Sequence, residues 1–237
     1  MNHALIPAAG SGSRLGSTLA KQYRTISGRP MICYALETFA TCALIERIFV
    51  VIEAADQQFD LIPLSDRARS KVETLRVGGK TRQESVENGL TALKDRVDDA
   101  DWILVHDAAR PGLSSALLER LIAEVGDDAV GGILALPVAD TLKHSGAGHP
   151  LRSISTASRD TLWHAQTPQM FRYRLLRDAL FKARTAGQQV TDEASAVELT
   201  GQAPLLVQGH RFNFKVTYPD DLEFAALLLD SVNDNTR

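Results

Sequence analysis

Ala4-Leu5-Ile6-Pro7-Ala8-Ala9-Gly10-Ser11-Gly12-Ser13-Arg14-Leu15-Gly16, with Lys21 five residues further on, joins a short apolar run to a glycine-rich stretch carrying two cations. The run from Ala4 to Ala8 has no charge on either face, as expected of a strand buried on both sides. Glycines directly after such a strand let backbone N–H groups turn inward into an anion-binding concavity, and Arg14 and Lys21 add full charges to it. A plain Gly/Ser connector has no need of two cations. Two familiar phosphate motifs do not fit. Counting a dinucleotide fingerprint from Gly10 puts Leu15 at the third small position, and no acidic residue follows about twenty positions later at a strand end. Gly79-Lys80-Thr81 resembles the end of a P-loop, but that motif's first glycine would fall at Thr74.

Outward from this stretch, strand-like runs recur at Arg47–Glu53, Lys71–Val77, Trp102–His106 and Val130–Val138. Helical patterns at Pro30–Cys42, Arg82–Arg96 and Ser114–Val125 separate them. This alternation predicts an α/β fold, a mostly parallel twisted sheet with helices on both faces. Ligands of such sheets sit beyond the carboxyl ends of the strands, so the loops after each strand are the places to search. Further helices are expected at Tyr173–Ala186, Asp192–Leu199 and Asp220–Leu229, and strand-like pieces at Leu205–Val207 and Asn213–Val216. Residues 139–161, punctuated by Gly146, Gly148 and Pro150, break the pattern and read as an arm leaving a single domain that spans 1–237. Gln166 to Gln169 reads as a proline turn.

The chain has 237 residues, 44% hydrophobic and 23% charged, which excludes a disordered or fibrous protein. No apolar run approaches the roughly eighteen residues of a membrane helix, and the N-terminus turns polar too soon for a signal peptide. A cytoplasmic protein beginning at Met1 is expected. Cys33 and Cys42 read as buried, reduced thiols. A net charge of −3 offers no general attraction to nucleic acid or membrane, so local cations must hold any anionic ligand. Neither a G-x-S-x-G elbow nor an H-E-x-x-H pair is present, and the six histidines show no ligand spacing. Asp107, in His106-Asp107-Ala108-Ala109-Arg110-Pro111, follows an apolar strand to the ligand edge. A carboxylate there suits Mg2+, which binds through one or two carboxylates plus substrate phosphates.

The opening block through Lys21-Gln22-Tyr23 resembles the 2-C-methyl-D-erythritol 4-phosphate cytidylyltransferase family. So do Gly78-Gly79-Lys80-Thr81-Arg82-Gln83-Glu84-Ser85-Val86 and Val105-His106-Asp107-Ala108-Ala109-Arg110-Pro111. Asp140-Thr141-Leu142-Lys143, Gln166-Thr167-Pro168-Gln169, Thr191-Asp192-Glu193-Ala194-Ser195 and Asn213-Phe214-Lys215-Val216-Thr217 complete the likeness in order along nearly the whole chain. The resemblance implies a Rossmann-like nucleotidyltransferase fold with a protruding dimerisation arm, acting on CTP and a polyol phosphate with Mg2+ or another divalent cation. By matching positions, Arg14, Lys21, Arg159 and Lys215 would be catalytic, with Arg159 serving the partner's site in a homodimer. Ala8, Ala9, Gly10, Gly12, Gly79 and Ser85 would surround CTP. Arg110, Thr141 and Thr191 would hold the acceptor, and Asp107 the metal. Ala20 departs from the family, where many members have Pro before Lys-Gln-Tyr. The chain ends too soon after its last helix to include the cyclase some members carry, so a monofunctional protein is expected.

The physics agrees with such a reaction. Each pair of unit charges on the two phosphorylated reactants, about 5 Å apart at an effective dielectric near 20, costs roughly 3 kcal/mol. Positioned cations must offset that repulsion, and no nucleophilic side chain is needed because a phosphate monoester is already ionised. Ordinary explanations exist for some residues: Arg159 as a solvated arm residue, Thr191 beside a helix cap, Lys215 on a strand edge. The alternatives are a ribitol-5-phosphate cytidylyltransferase, a nonenzymatic nucleotide-binding sensor and, third, an NAD-dependent oxidoreductase.

Overall fold

The computed structural model describes residues 1–10 and 19–234; Gly12 and Arg14 lie outside them. In chain order the elements are β1 (Asn2–Pro7), β2 (Thr25–Ile26), β3 (Arg29–Pro30), α1 (Met31–Thr41), β4 (Arg47–Val51), α2 (Asp66–Lys71), β5 (Val72–Leu75) and α3 (Arg82–Ala92). There follow β6 (Trp102–Val105), α4 (Ser115–Val125), β7 (Gly131–Pro137), β8 (Leu142–Ser145), β9 (Ser153–Ala157) and β10 (Trp163–Arg172). Last come α5 (Tyr173–Thr185), α6 (Glu193–Glu198), β11 (Leu205–Gln208) and α7 (Pro219–Asp234).

Seven strands form the central sheet in the order β11-β7-β10-β6-β1-β4-β5. β1 pairs in parallel with β4 and β6, with Leu5 opposite both Phe49 and Val105. Only β10 runs against its neighbours, antiparallel to β6 and β7. The pleat of β1 divides two apolar layers. Ala4, Ile6 and Ala8 point to the face that α1 and α4 cover, through Leu36, Phe39, Leu118 and Leu121. Leu5 points to the opposite face, where Val86 and Leu90 of α3 and Leu176 and Leu180 of α5 lie. Burial on both faces is why β1, β4 and β6 read as unbroken apolar runs.

Three expectations need correction. The segment around Gln166–Gln169 is not a turn but the middle of β10. Its Pro168 is tolerated because pairing with β6 begins only at Gln169, and the ladder to β7 is interrupted between Ala165 and Gln169. The run from Lys71 begins as helix: Ser65 caps α2 through its hydroxyl on the Ala68 N–H, and only Val72–Leu75 is strand. Asn213–Val216 is not a strand. A 3-10 turn at Arg211–Asn213 leads into a loop, tied down where the Val216 N–H donates to the Ala109 carbonyl at 2.9 Å. Within 139–161 the chain forms the β8–β9 hairpin, nearly every residue of which is exposed, Leu151 and Ile154 included.

Candidate active site

Loops at the carboxyl ends of β1, β5 and β6 meet at one rim. Gly78 lets two of them touch: a Cβ there would lie 2.3 Å from the Ala9 Cβ and 2.8 Å from the Ile52 carbonyl oxygen. The short turn Lys21–Tyr23 is pinned to the first loop by buried Gln22, whose Nε2 donates to the Ala8 carbonyl at 2.6 Å. Thr81 caps α3 by accepting from the Glu84 N–H at 3.0 Å. Ser85, one turn in, donates to the Thr81 carbonyl at 2.9 Å and accepts from the Gly79 N–H at 3.1 Å. These contacts enclose a cavity of about 190 Å3. Of the residues singled out in the sequence, Ala8, Ala9, Gly10, Lys21, Gly79, Ser85, Asp107 and Lys215 all line it.

Asp107 gathers the charges. Its Oδ1 accepts from Arg82 Nε at 2.7 Å, and its Oδ2 lies 2.8 Å from Lys215 Nζ and 3.7 Å from Arg110 Nε. Arg82 turns its other edge to Glu193, with Nη1 on Oε1 at 2.7 Å and Nη2 on Oε2 at 3.0 Å. Burial opposes ionisation of Asp107, but the fields of Arg82, Lys215 and Arg110 outweigh it and hold the carboxyl far below its usual range. The same balance raises Arg82, where burial is outweighed by Glu193 and Asp107. Among the described residues three cations thus face two carboxylates, a local excess of one positive charge before Lys21 is counted.

Behind Asp107 lies a neutral histidine. The Asp107 N–H donates to Thr167 Oγ1 at 3.0 Å, so the Thr167 proton is available to His106 Nδ1, also at 3.0 Å. His106 then carries its hydrogen on Nε2, facing the Arg110 carbonyl at 3.3 Å. Full burial pushes its pKa from 6.5 down to about 4. The unfolded chain binds this proton below pH 6.5 and the folded chain only below about 4, so stability is lost as pH falls through that window. In metal-free buffer, urea midpoints between pH 7 and 4 should report a loss of up to roughly 3 kcal/mol from this group. His106→Asn, which keeps an acceptor for Thr167, should flatten the slope; an unchanged slope would assign it to other groups.

The remaining candidates lie elsewhere. Arg110 is turned inward, donating to the carbonyls of Asn213 at 2.8 Å and Ala165 at 3.3 Å, and lines no part of the cavity. In this arrangement it braces the loop that carries Lys215. Thr191 is exposed on a second hollow of about 270 Å3, which shares Thr81 and Arg82 with the first. Thr141 and Arg159 are exposed at the base of the arm, where the Arg159 guanidinium donates to the Ala139 carbonyl. Sequence reasoning missed Arg82, Glu193, Thr167 and Gln169 as site builders. Only the charge of Arg82 beside a phosphate-type loop could have flagged any of them.

Among the described residues no three His, Cys, Asp or Glu side chains converge on one point. A protein-only metal cage is therefore absent there. A single carboxylate opening on a cavity suits Mg2+, which takes most of its oxygens from phosphate and water.

The model of the 2-C-methyl-D-erythritol 4-phosphate cytidylyltransferase family matches residues 2–231. The chain belongs to this family. Curated cytidylyltransferases from Paraburkholderia phymatum and Nitrosomonas eutropha are 52% and 53% identical to it, each over 95% of both chains. A solved 4-diphosphocytidyl-2C-methyl-D-erythritol synthase superposes with a TM-score of 0.82 at 42% identity, covering 96% of this chain and 97% of its own. The Thermus thermophilus cytidylyltransferase gives 0.76 at 28%, over 95% and 98%. Cytidylyltransferase membership bears out the α/β nucleotidyltransferase fold and an enzymatic role, and favours neither the sensor nor the oxidoreductase. No helix among the described residues is long and apolar enough to cross a membrane.

Proposed function

We propose that this protein transfers the CMP unit of CTP to 2-C-methyl-D-erythritol 4-phosphate, releasing pyrophosphate and forming 4-diphosphocytidyl-2-C-methyl-D-erythritol for isoprenoid synthesis. The observation that carries this is the Asp107 cluster, one carboxylate and its cations opening on a cavity at the ends of β1 and β6. In this reading Gly79 and Ser85 read the base and the Ala8-Ala9-Gly10 backbone approaches the phosphates, which their shared place in the cavity lining supports. An incoming triphosphate draws Lys215 from Asp107, and Lys21 and Lys215 then offset the repulsion between the two anionic reactants. An oxygen of the acceptor phosphate attacks the α-phosphorus, a new P–O bond forms, and the bond to the β-phosphate oxygen breaks. The acceptor is already ionised, so no side chain has to take a proton.

Asp107 is the residue to hold Mg2+, which when bound supplies further neutralisation of the triphosphate. Arg14, outside the described residues, and Gly12 belong with the phosphate loop in this reading. Thr191 faces the acceptor side. Arg110, placed behind the site, supports it by fixing the Lys215 loop. The chain acts as one domain, in the cytoplasm, as a homodimer in which the arm brings Thr141 and Arg159 to the partner's site. Sedimentation should give twice the chain mass, and Leu151→Asp with Ile154→Asp should give monomers with little activity; a fully active monomeric parent would overturn the dimer.

The decisive test of function is Mg2+-dependent pyrophosphate release from CTP, with methylerythritol phosphate and ribitol 5-phosphate compared side by side. Equal or preferred use of ribitol phosphate would overturn the acceptor assignment.

A further inference from the structure

Glu193 is 1% exposed, an expensive place for a carboxylate, and among the described residues its charge is met by Arg82. A buried ion pair is weak evidence for stability, since well-packed apolar residues often serve as well. What distinguishes this one is how the guanidinium is used. Glu193 takes Nη1 and Nη2 in a two-pronged pair, which fixes the plane of the group and leaves Nε aimed at Asp107 Oδ1 at 2.7 Å. With Oδ1 so engaged, Oδ2 is the oxygen on the Lys215 side, 2.8 Å from its ammonium.

One strand holds both ends of this chain of contacts. From β10, Thr167 accepts the Asp107 N–H at 3.0 Å. Two residues on, Gln169 donates to Asp192 Oδ2 at 2.8 Å and accepts from the Ala194 N–H at 2.8 Å, clasping the turn that carries Glu193. Asp192 and Ser195 close that turn as a reciprocal capping box. The carboxylate at the cavity and the carboxylate behind it are therefore set against the same rigid element.

We infer that Glu193 is a positioning residue for nucleotidyl transfer: through Arg82 it locks the Asp107 carboxylate so that Oδ2 alone is offered to a divalent cation. This rests on the function proposed above and deepens it. One-point coordination suits a small octahedral ion, and a carboxylate free to rotate would offer both oxygens or neither.

The test uses Glu193→Gln, which removes the charge and keeps the shape, and Glu193→Asp, which keeps the charge but shortens the reach. Either suffices if the other fails to fold. Turnover should fall roughly 10- to 100-fold, the range for a lost partner of a metal ligand. Metal-free affinity for CTP should stay within about threefold, because contacts to the nucleotide that do not pass through the metal are untouched. Mn2+ affinity, read by electron paramagnetic resonance with CTP present and acceptor omitted, should weaken by about tenfold or more. Turnover within about twofold of the parent, or Mn2+ affinity unchanged, would overturn the inference. A parent that binds Mn2+ but releases no pyrophosphate would instead overturn the proposed function, and the binding comparison would still decide the role of Glu193.

Discussion

Lys215→Ala is expected to lower kcat by two to three orders of magnitude while leaving the fold intact. The Lys215 side chain is 43% exposed, so water screens its end of the pair with buried Asp107 and the pair contributes modestly to stability. Asp107 keeps Arg82 and Arg110 when the lysine is gone. In the loaded site the same ammonium would face charge that builds on the transferring phosphoryl group. A donor aimed at developing charge is worth roughly 3 to 4 kcal/mol, which is the stated loss in rate. Lys21→Ala should behave alike. Thermal midpoints should stay within a few degrees of the parent, since a surface substitution shifts stability by about 0.5 kcal/mol or less. The measurement is steady-state pyrophosphate release; turnover within a few-fold of the parent would remove Lys215 from catalysis.

The parts of the site legible in the sequence are those made by local rules. The run before Ala8 and the run before Asp107 announce buried strands by being apolar on both faces, and a parallel sheet places their ends at one rim. Eight of the candidates accordingly line one cavity. β10 was illegible for a physical reason. Gln166, Thr167 and Gln169 are polar yet buried because they hold other parts of the site, Gln166 donating to the His210 carbonyl and Gln169 to Asp192. A strand that spends its side chains on such bonds loses the apolar run by which strands are recognised, and Pro168 completes the disguise.

Lys215 shows the opposite case. Its role follows from resemblance, but its expected strand does not exist; the loop is held by Arg110 on the Asn213 carbonyl and by Asn213 Nδ2 on the Thr167 carbonyl at 2.8 Å. Arg110 reads from its block as a substrate contact, and nothing local reveals that its guanidinium points inward. Arg82 and Glu193 are separated by 111 positions, and only the meeting of α3 with α6 makes them a pair.

Asp107→Asn separates charge from shape at the centre of the cluster. With the carboxylate neutral, Arg82, Arg110 and Lys215 are balanced among the described residues by Glu193 alone, and the local excess there rises from one positive charge to two. Arg110, 9% exposed, loses its only carboxylate partner among the described residues, and a buried cation left so costs on the order of 3 kcal/mol. The variant should therefore unfold at lower urea, and added CTP should recover part of the loss by binding only the folded state. Without metal its affinity for CTP should exceed that of the parent by roughly five- to tenfold, because Lys215 no longer has to leave a carboxylate before meeting phosphate. That corresponds to about 1 kcal/mol, a solvent-screened fraction of the roughly 3 kcal/mol between unit charges 5 Å apart. Turnover with Mg2+ should nevertheless fall by about a thousandfold, since an amide is a poor ligand for a hard cation and the transition-state charge goes uncompensated. Tighter metal-free binding joined to lost turnover is the signature of a carboxylate that restrains cations until a metal takes their place. Weaker CTP binding in Asp107→Asn would mean that Asp107 serves the nucleotide by shape, and the charge argument would fail.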